Sequence, residues 1–249
     1  MTAARILAAL ALAAALPAAA FDSTLRLEML AERIAKLHAQ VGQGVLAERG
    51  RRALPEALRE FDAGLKDAKA RATGAEVRDT YVLLGLLWAE YRAFASRTPT
   101  RDNAKKLGER AEEVAWVAGK GARLMHEAGR RGTARLALDA VHAATLSQRL
   151  SRHYLMQRWG VRQETSGREI PAVAADLQRT LEKLRGASQN TPEILTELQA
   201  AEGQLGFLLQ GGRELEGKRA NARALEFIAK SADHLLDSME RVARLYEGE

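Results

Sequence analysis

The chain has 249 residues, no cysteine, and 38 Lys and Arg against 32 Asp and Glu. Without cysteine there is no disulfide, no haem attachment through Cys-x-x-Cys-His and no lipidation at an N-terminal cysteine. The net charge of +6 is spread among interspersed acids and bases with no long block of one sign, which argues against a nucleic-acid surface. Only five prolines, few aromatics and a dominance of Ala, Leu, Glu, Arg and Lys predict an all-α protein.

Residues 1–20 differ from the rest. Arg5 is their one charged side chain, Ile6 to Leu16 is unbroken apolar sequence, Pro17 ends the run, and Ala18-Ala19-Ala20 offers small residues for cleavage before Phe21. This pattern predicts a secretory signal peptide cut near Ala20. The exported chain, expected to be soluble and periplasmic, then carries 37 − 32 = +5 charges. No later segment approaches the roughly 20 apolar residues of a transmembrane helix, so none is expected in the mature chain.

The first predicted helix runs from Ser23 to about Glu48, with Leu25, Met29, Ile34, Leu37, Val41 and Val45 at helical spacing, and breaks at Gly50. Leu54-Pro55-Glu56 opens a second, with Pro in its first turn and Leu58, Phe61, Leu65 and Ala68 as its buried stripe. A third follows Thr73-Gly74, with Val77, Tyr81, Leu84, Trp88, Tyr91 and Ala95 alternating steps of four and three. Thr98-Pro99-Thr100 precedes a fourth, carrying Leu107, Val114, Val117 and Leu124 until Gly129 and Gly132.

The pattern then repeats. Thr133 caps a helix to about Arg158, and Thr145 to Val161 matches Met29 to Val45 at an offset of 116: Leu30/Leu146, Arg33/Arg149, Ile34/Leu150, Gly44/Gly160 and Val45/Val161. Ile170-Pro171 answers Leu54-Pro55, and Leu177, Leu181 and Leu184 continue at 116. Thr191-Pro192-Glu193 opens a helix that fits at 117 through Ile194, Leu198, Ala201, Leu205 and Leu208. The last helix fits at 118, with Leu225, Ile228, Ala232, Leu235, Met239, Val242 and Tyr246 as its seam. One-residue slips confined to loops are what a diverged duplication leaves. The expected architecture is two tandem up-down four-helix bundles, residues 21–129 and 133–249, after the signal peptide at 1–20.

Met29 to Lys36, M-L-A-E-R-I-A-K, and Leu146 to Val161, L-S-Q-R-L-S-R-x-Y-L followed by W-G-V, resemble the opening of the N-terminal domain of type IV pilus methyl-accepting chemotaxis transducers. That domain is similar to the periplasmic sensor domain of nitrate/nitrite sensor kinases. The stretch Asn190 to Ile194 and the ending Met239 to Tyr246 extend the resemblance over nearly the whole mature chain. It implies a four-helix extracytoplasmic module that detects a small ligand, nitrate or nitrite in the best-understood relatives, through arginine on the first helix at a dimer interface. The family's arginine before the Met-Leu step falls on Glu28 and on Ala144 here; Arg33 and Arg149 correspond to the motif's other arginine.

The candidate ligand-binding residues are therefore Arg33 and Arg149, whose guanidinium forks suit an anion, with Lys36 and Arg152 one turn on and Gln148 as a neutral donor. The other reading of these arginines is ordinary pairing with neighbouring Glu or Gln on a helix surface. His142 and His153 stand three turns apart, roughly 16 Å, too far to share an ion. Met29 with His126 is the one haem-ligand pairing to consider; no metal or cofactor is expected. With no nucleophile elbow, phosphate loop or zinc motif, an enzyme is not expected. The function expected is an exported sensor-type protein that binds a small ligand such as nitrate or nitrite and signals through a membrane-bound partner, its first helices facing as an internal pseudo-dimer. The alternative is a ligand-free helical adaptor or scaffold for a periplasmic protein.

Overall fold

The computed structural model describes residues 22–127, 132–161, 163–216 and 222–248. Among these the chain forms eight helices and no strand: α1 (Leu27–Gln43), α2 (Ala47–Arg71), α3 (Ala75–Ala95), α4 (Arg101–Glu127), α5 (Gly132–Arg158), α6 (Gln163–Arg185), α7 (Pro192–Glu216) and α8 (Ala222–Glu247). The segment predicted as a signal peptide and the stop at Gly129 lie outside the described residues. No described helix is long and apolar enough to cross a membrane.

The repeat in the sequence is a repeat in the backbone. Gly44 ends α1 with φ +74°, and Gly160 follows α5 with φ +77°. In both, the glycine N–H donates to the carbonyl three residues back (Val41, 3.3 Å; Gln157, 3.1 Å). The next residue donates five back: Val45 to Gln40 at 2.9 Å, Val161 to Met156 at 2.8 Å. This left-handed closure is one that glycine adopts without the steric penalty of a Cβ. It also moves the first boundary. α1 stops at Gly44 rather than near Gly50, which instead lies inside α2, where a Cβ would stand 2.8 Å from a Val41 methyl. Gly50 is a point of close helix approach, not a break. Pro55 and Pro171 likewise sit within α2 and α6 rather than in their first turns. Each occupies the ninth position, counting 47 to 55 and 163 to 171.

α1 packs against α2, α4 and α5, while α5 packs against α1, α6 and α8. The other main neighbours are α2 with α3, α3 with α4, α6 with α7, and α7 with α8, with smaller contacts of α4 with α5, α5 with α7 and α1 with α3. α1 and α5 are therefore the central helices, and both are buried on nearly every side. The predicted stripes fill the core: Phe61, Tyr81, Leu84, Tyr91, Leu107, Leu177, Leu198, Ile228 and Met239 are all inaccessible. Each large apolar side chain so removed from water contributes roughly 1.5–3 kcal/mol. Phe61 and Trp88 stack with centroids 3.8 Å apart, and the Trp88 indole donates to Asp62 Oδ1 at 2.8 Å.

Candidate functional site

The two central helices are unusual in what they bury. Glu32, Lys36, His38 and Gln40 on α1 and Thr145, Ser147, Gln148, Ser151, Arg152 and His153 on α5 are all buried. Glu28, Glu32 and Lys36 are spaced by four, which places them along one side of α1. Opposite them along α5 come His142, then Arg149 and Arg152. His142 Nδ1 lies 3.4 Å from Glu28, Arg149 and Arg152 reach Glu32, and beyond them a Cβ on Gly42 would meet the Trp159 ring. Contacts that follow the same order along both helices mean that α1 and α5 run parallel and in register.

Glu32 is the hinge of this seam. Its Oε1 accepts from Arg149 Nε at 2.8 Å and its Oε2 from Arg152 Nε at 2.7 Å. Arg152 has a second carboxylate, Glu112 of α4, 3.2 Å from its Nη2, and its Nη1 reaches the Gly108 carbonyl at 3.4 Å. Burial alone would raise the Glu32 pKa, but Arg152 and Arg149 outweigh it and hold the carboxyl below its ordinary value. Glu32 in turn raises Arg149, and for Arg152 the pull of Glu32 and Glu112 overcomes the effect of burial. Two guanidiniums thus meet two carboxylates, and charge balances.

Lys36, also fully buried, crosses to α8 and donates to Asp233 Oδ1. Arg49, in the first turn of α2, lies 3.2 Å from Asp233 Oδ2. Burial would raise the Asp233 pKa; Lys36 foremost, then Arg33 and Arg49, holds it low. Arg33 joins this group and not the Glu32 one. It is half-buried, and its Nε is shielded from solvent without a hydrogen-bond partner among the described residues. Gln148, the match of Glu32, turns away from both arginines and donates to the Ala232 carbonyl at 2.9 Å.

The five predicted site residues thus all lie on the two central helices, but they divide. Arg149 and Arg152 close on Glu32; Arg33 and Lys36 gather around Asp233; Gln148 pairs with backbone. Glu112, Asp233 and Arg49 are not singled out by sequence pattern, because each is one charged residue among many on its helix. Glu32 did carry a signal, as the charged half of a Glu/Gln pair inside a matched apolar stretch. Arg149 also lines a cleft of about 490 Å³ with Glu28, Glu112, Trp116, His142 and His153. It adjoins a second cleft of about 620 Å³ through Glu28, Arg123 and His142.

Among the described residues no group of three or more His, Asp or Glu is arranged to hold a metal. Met29 lies in the core, and His126 Nε2 sits 3.2 Å from Asp22. No protein-family model matches the chain, and neither a curated protein nor a solved structure is significantly similar to it.

Proposed function

We propose that this is an exported, non-enzymatic, sensor-type protein of two four-helix bundles, α1–α4 and α5–α8, fused as an internal pseudo-dimer across α1 and α5. In this reading it binds a small anion at the polar seam between the bundles and signals through a membrane-bound partner. The observation that carries it is the seam itself. A ligand-free scaffold has no need for Glu32, Lys36 and Arg152 buried on its central helices, since apolar side chains of similar volume stabilise such a contact at least as well. Groups of this kind couple the two halves to the charge state of the site between them. The resemblance to transducer and nitrate-sensor modules points the same way, as does the signal-peptide pattern of residues 1–20.

The test is thermal melting with nitrate, nitrite, phosphate and acetate at constant ionic strength. A ligand present at 100 times its Kd stabilises the fold by about 2.7 kcal/mol. A rise in Tm for one of these anions is expected, and no rise for any of them removes the reading.

One feature favours the adaptor alternative. Val82, Leu83 and Leu86 on α3 and Trp116 on α4 are exposed large apolar residues, Leu86 at 70% and Trp116 at 64%. Leu83 and Trp116 line one shallow groove with Leu87 and Val117. Apolar clustering of this kind marks protein contact surfaces. If no anion shifts the melt, and cross-links from position 86 to a membrane protein depend on Trp116, this second reading takes over.

A further inference from the structure

The two copies of the repeat neutralise their matched cations differently. Around Arg149 and Arg152 the carboxylates are Glu32 and Glu112. At the offset of 116, Glu32 is matched by Gln148; at the α8 offset of 118, Glu112 is matched by Lys230. Both carboxylates that balance the first site are thus lost from the second, one to a neutral amide and one to a cation. In their place stands Asp233, where α4 has Ala115, and it serves Lys36 and Arg49 at once.

Whichever of the two carries the proton, Lys36 and Asp233 together form a neutral pair. Arg33 and Arg49 are left in excess. Arg33 keeps a shielded Nε with no partner among the described residues, and the Arg49 side chain is about half exposed, 52%, so solvent reaches the group from the Arg49 side. α2 begins beside Arg49 without a side-chain cap, and Glu48 in the same turn pairs with Arg51.

We propose that Arg33 and Arg49, above the Lys36–Asp233 pair, bind a small oxyanion, and a doubly charged one in preference to a singly charged one. The proposal rests on the anion-receptor reading and gives it a place: the ligand binds on the Arg33 side, while the Arg149–Arg152 side is permanently occupied by the protein's own Glu32. A free oxyanion held by two guanidinium forks takes the part that Glu32 takes in the other copy.

The test is calorimetric titration of the protein with hydrogenphosphate and with nitrate, ionic strength held constant with chloride so that screening does not change. Phosphate is expected to bind more tightly than nitrate. Arg49→Gln, at a half-exposed side chain, should weaken phosphate at least tenfold, as should Arg33→Gln. Gln148→Glu restores the missing carboxylate and should abolish binding while the protein stays folded by circular dichroism. Arg149→Gln should leave phosphate affinity within about twofold. Phosphate binding that survives Arg49→Gln and Gln148→Glu overturns this location, yet leaves the anion-receptor reading standing if Arg149→Gln removes it. Tighter binding of nitrate overturns the charge preference. Failure of the unaltered protein to bind either anion overturns the location, and the receptor reading falls with it only if nitrite and acetate also leave Tm unchanged.

Discussion

Glu32 and Gln148 hold the same place in the two copies of the repeat and do opposite things. Glu32 crosses from α1 to α5 and accepts from two arginines at 2.7–2.8 Å, whereas Gln148 stays within its own half and donates to the Ala232 carbonyl of α8. The change of carboxylate to carboxamide is one of three charge differences between the copies, with Glu112 against Lys230 and Ala115 against Asp233. The asymmetry matters because the surrounding cations are matched: Arg33 with Arg149, and Lys36 with Arg152.

Glu32→Gln should destabilise the protein by about 3–5 kcal/mol. It removes the shared partner of two guanidiniums, one of them wholly buried, and breaking a buried pair from one side leaves uncompensated charge out of water. Urea unfolding at pH 7 measures this through the midpoint. A loss below 1 kcal/mol, the range of surface ion pairs, would mean that Glu32 is not the tie between α1 and α5.

Acid should weaken the fold earlier than carboxylate titration alone explains. His38 is buried in α1, and burial pushes its pKa down to about 4 from 6.5. A histidine whose folded pKa is depressed contributes stability that is complete above its unfolded value. That contribution is lost as pH falls from about 6.5 toward 4, because the unfolded chain takes up the proton first. The difference corresponds to about 3 kcal/mol. Glu32, whose folded value is also depressed, adds its own loss as pH falls through the ordinary carboxylate range. A Tm profile should slope downward from about pH 6.5 to pH 4, and His38→Gln should flatten it between 6.5 and 5. An unchanged slope in that variant counts against the assignment.

Phe61→Ala should cost about 3–5 kcal/mol, since the ring is fully buried and stacked on Trp88. Phe207 also has an aromatic partner, Phe227, at 5.6 Å, but it is 46% exposed. Phe207→Ala should therefore cost no more than about 1.5 kcal/mol, the value of an aromatic pair without the burial. Denaturation of the two variants side by side checks the contrast, and equal losses would show that one of the two environments is misassigned.

The helical pattern was legible because three-four spacing of apolar residues reports directly on burial. Tyr81, Leu84, Trp88 and Tyr91 on α3, and Leu225 through Tyr246 on α8, occupy the core as their spacing predicts. The boundary near Gly50 was misread because glycine signals both a helix end and a close helix contact, and only Gly44 has the left-handed φ that closes α1. The site was half legible. Repetition at an offset of 116 pointed to Arg33, Lys36, Gln148, Arg149 and Arg152. Their partners were not visible, because Glu112 and Asp233 are reached from other helices through packing that no spacing within one helix encodes.

The matched closures of α1 and α5 give a last prediction about the repeat itself. Gly44 and Gly160 share a left-handed φ, +74° and +77°, and no neighbouring atom lies within 4 Å of where a Cβ would stand at either. Any cost of Gly→Ala there is conformational and not steric crowding by neighbours, so it should be the same in both copies, about 1–2 kcal/mol. Gly→Asn should cost less at each, because asparagine visits that conformation more readily. At Gly50 the order should reverse, since its φ is ordinary and a Cβ would meet Val41 at 2.8 Å, so the larger asparagine side chain should be the worse substitution. Six single variants compared by thermal melting read this out. If alanine and asparagine rank alike at positions 44, 160 and 50, the left-handed closure is not what ends the two central helices.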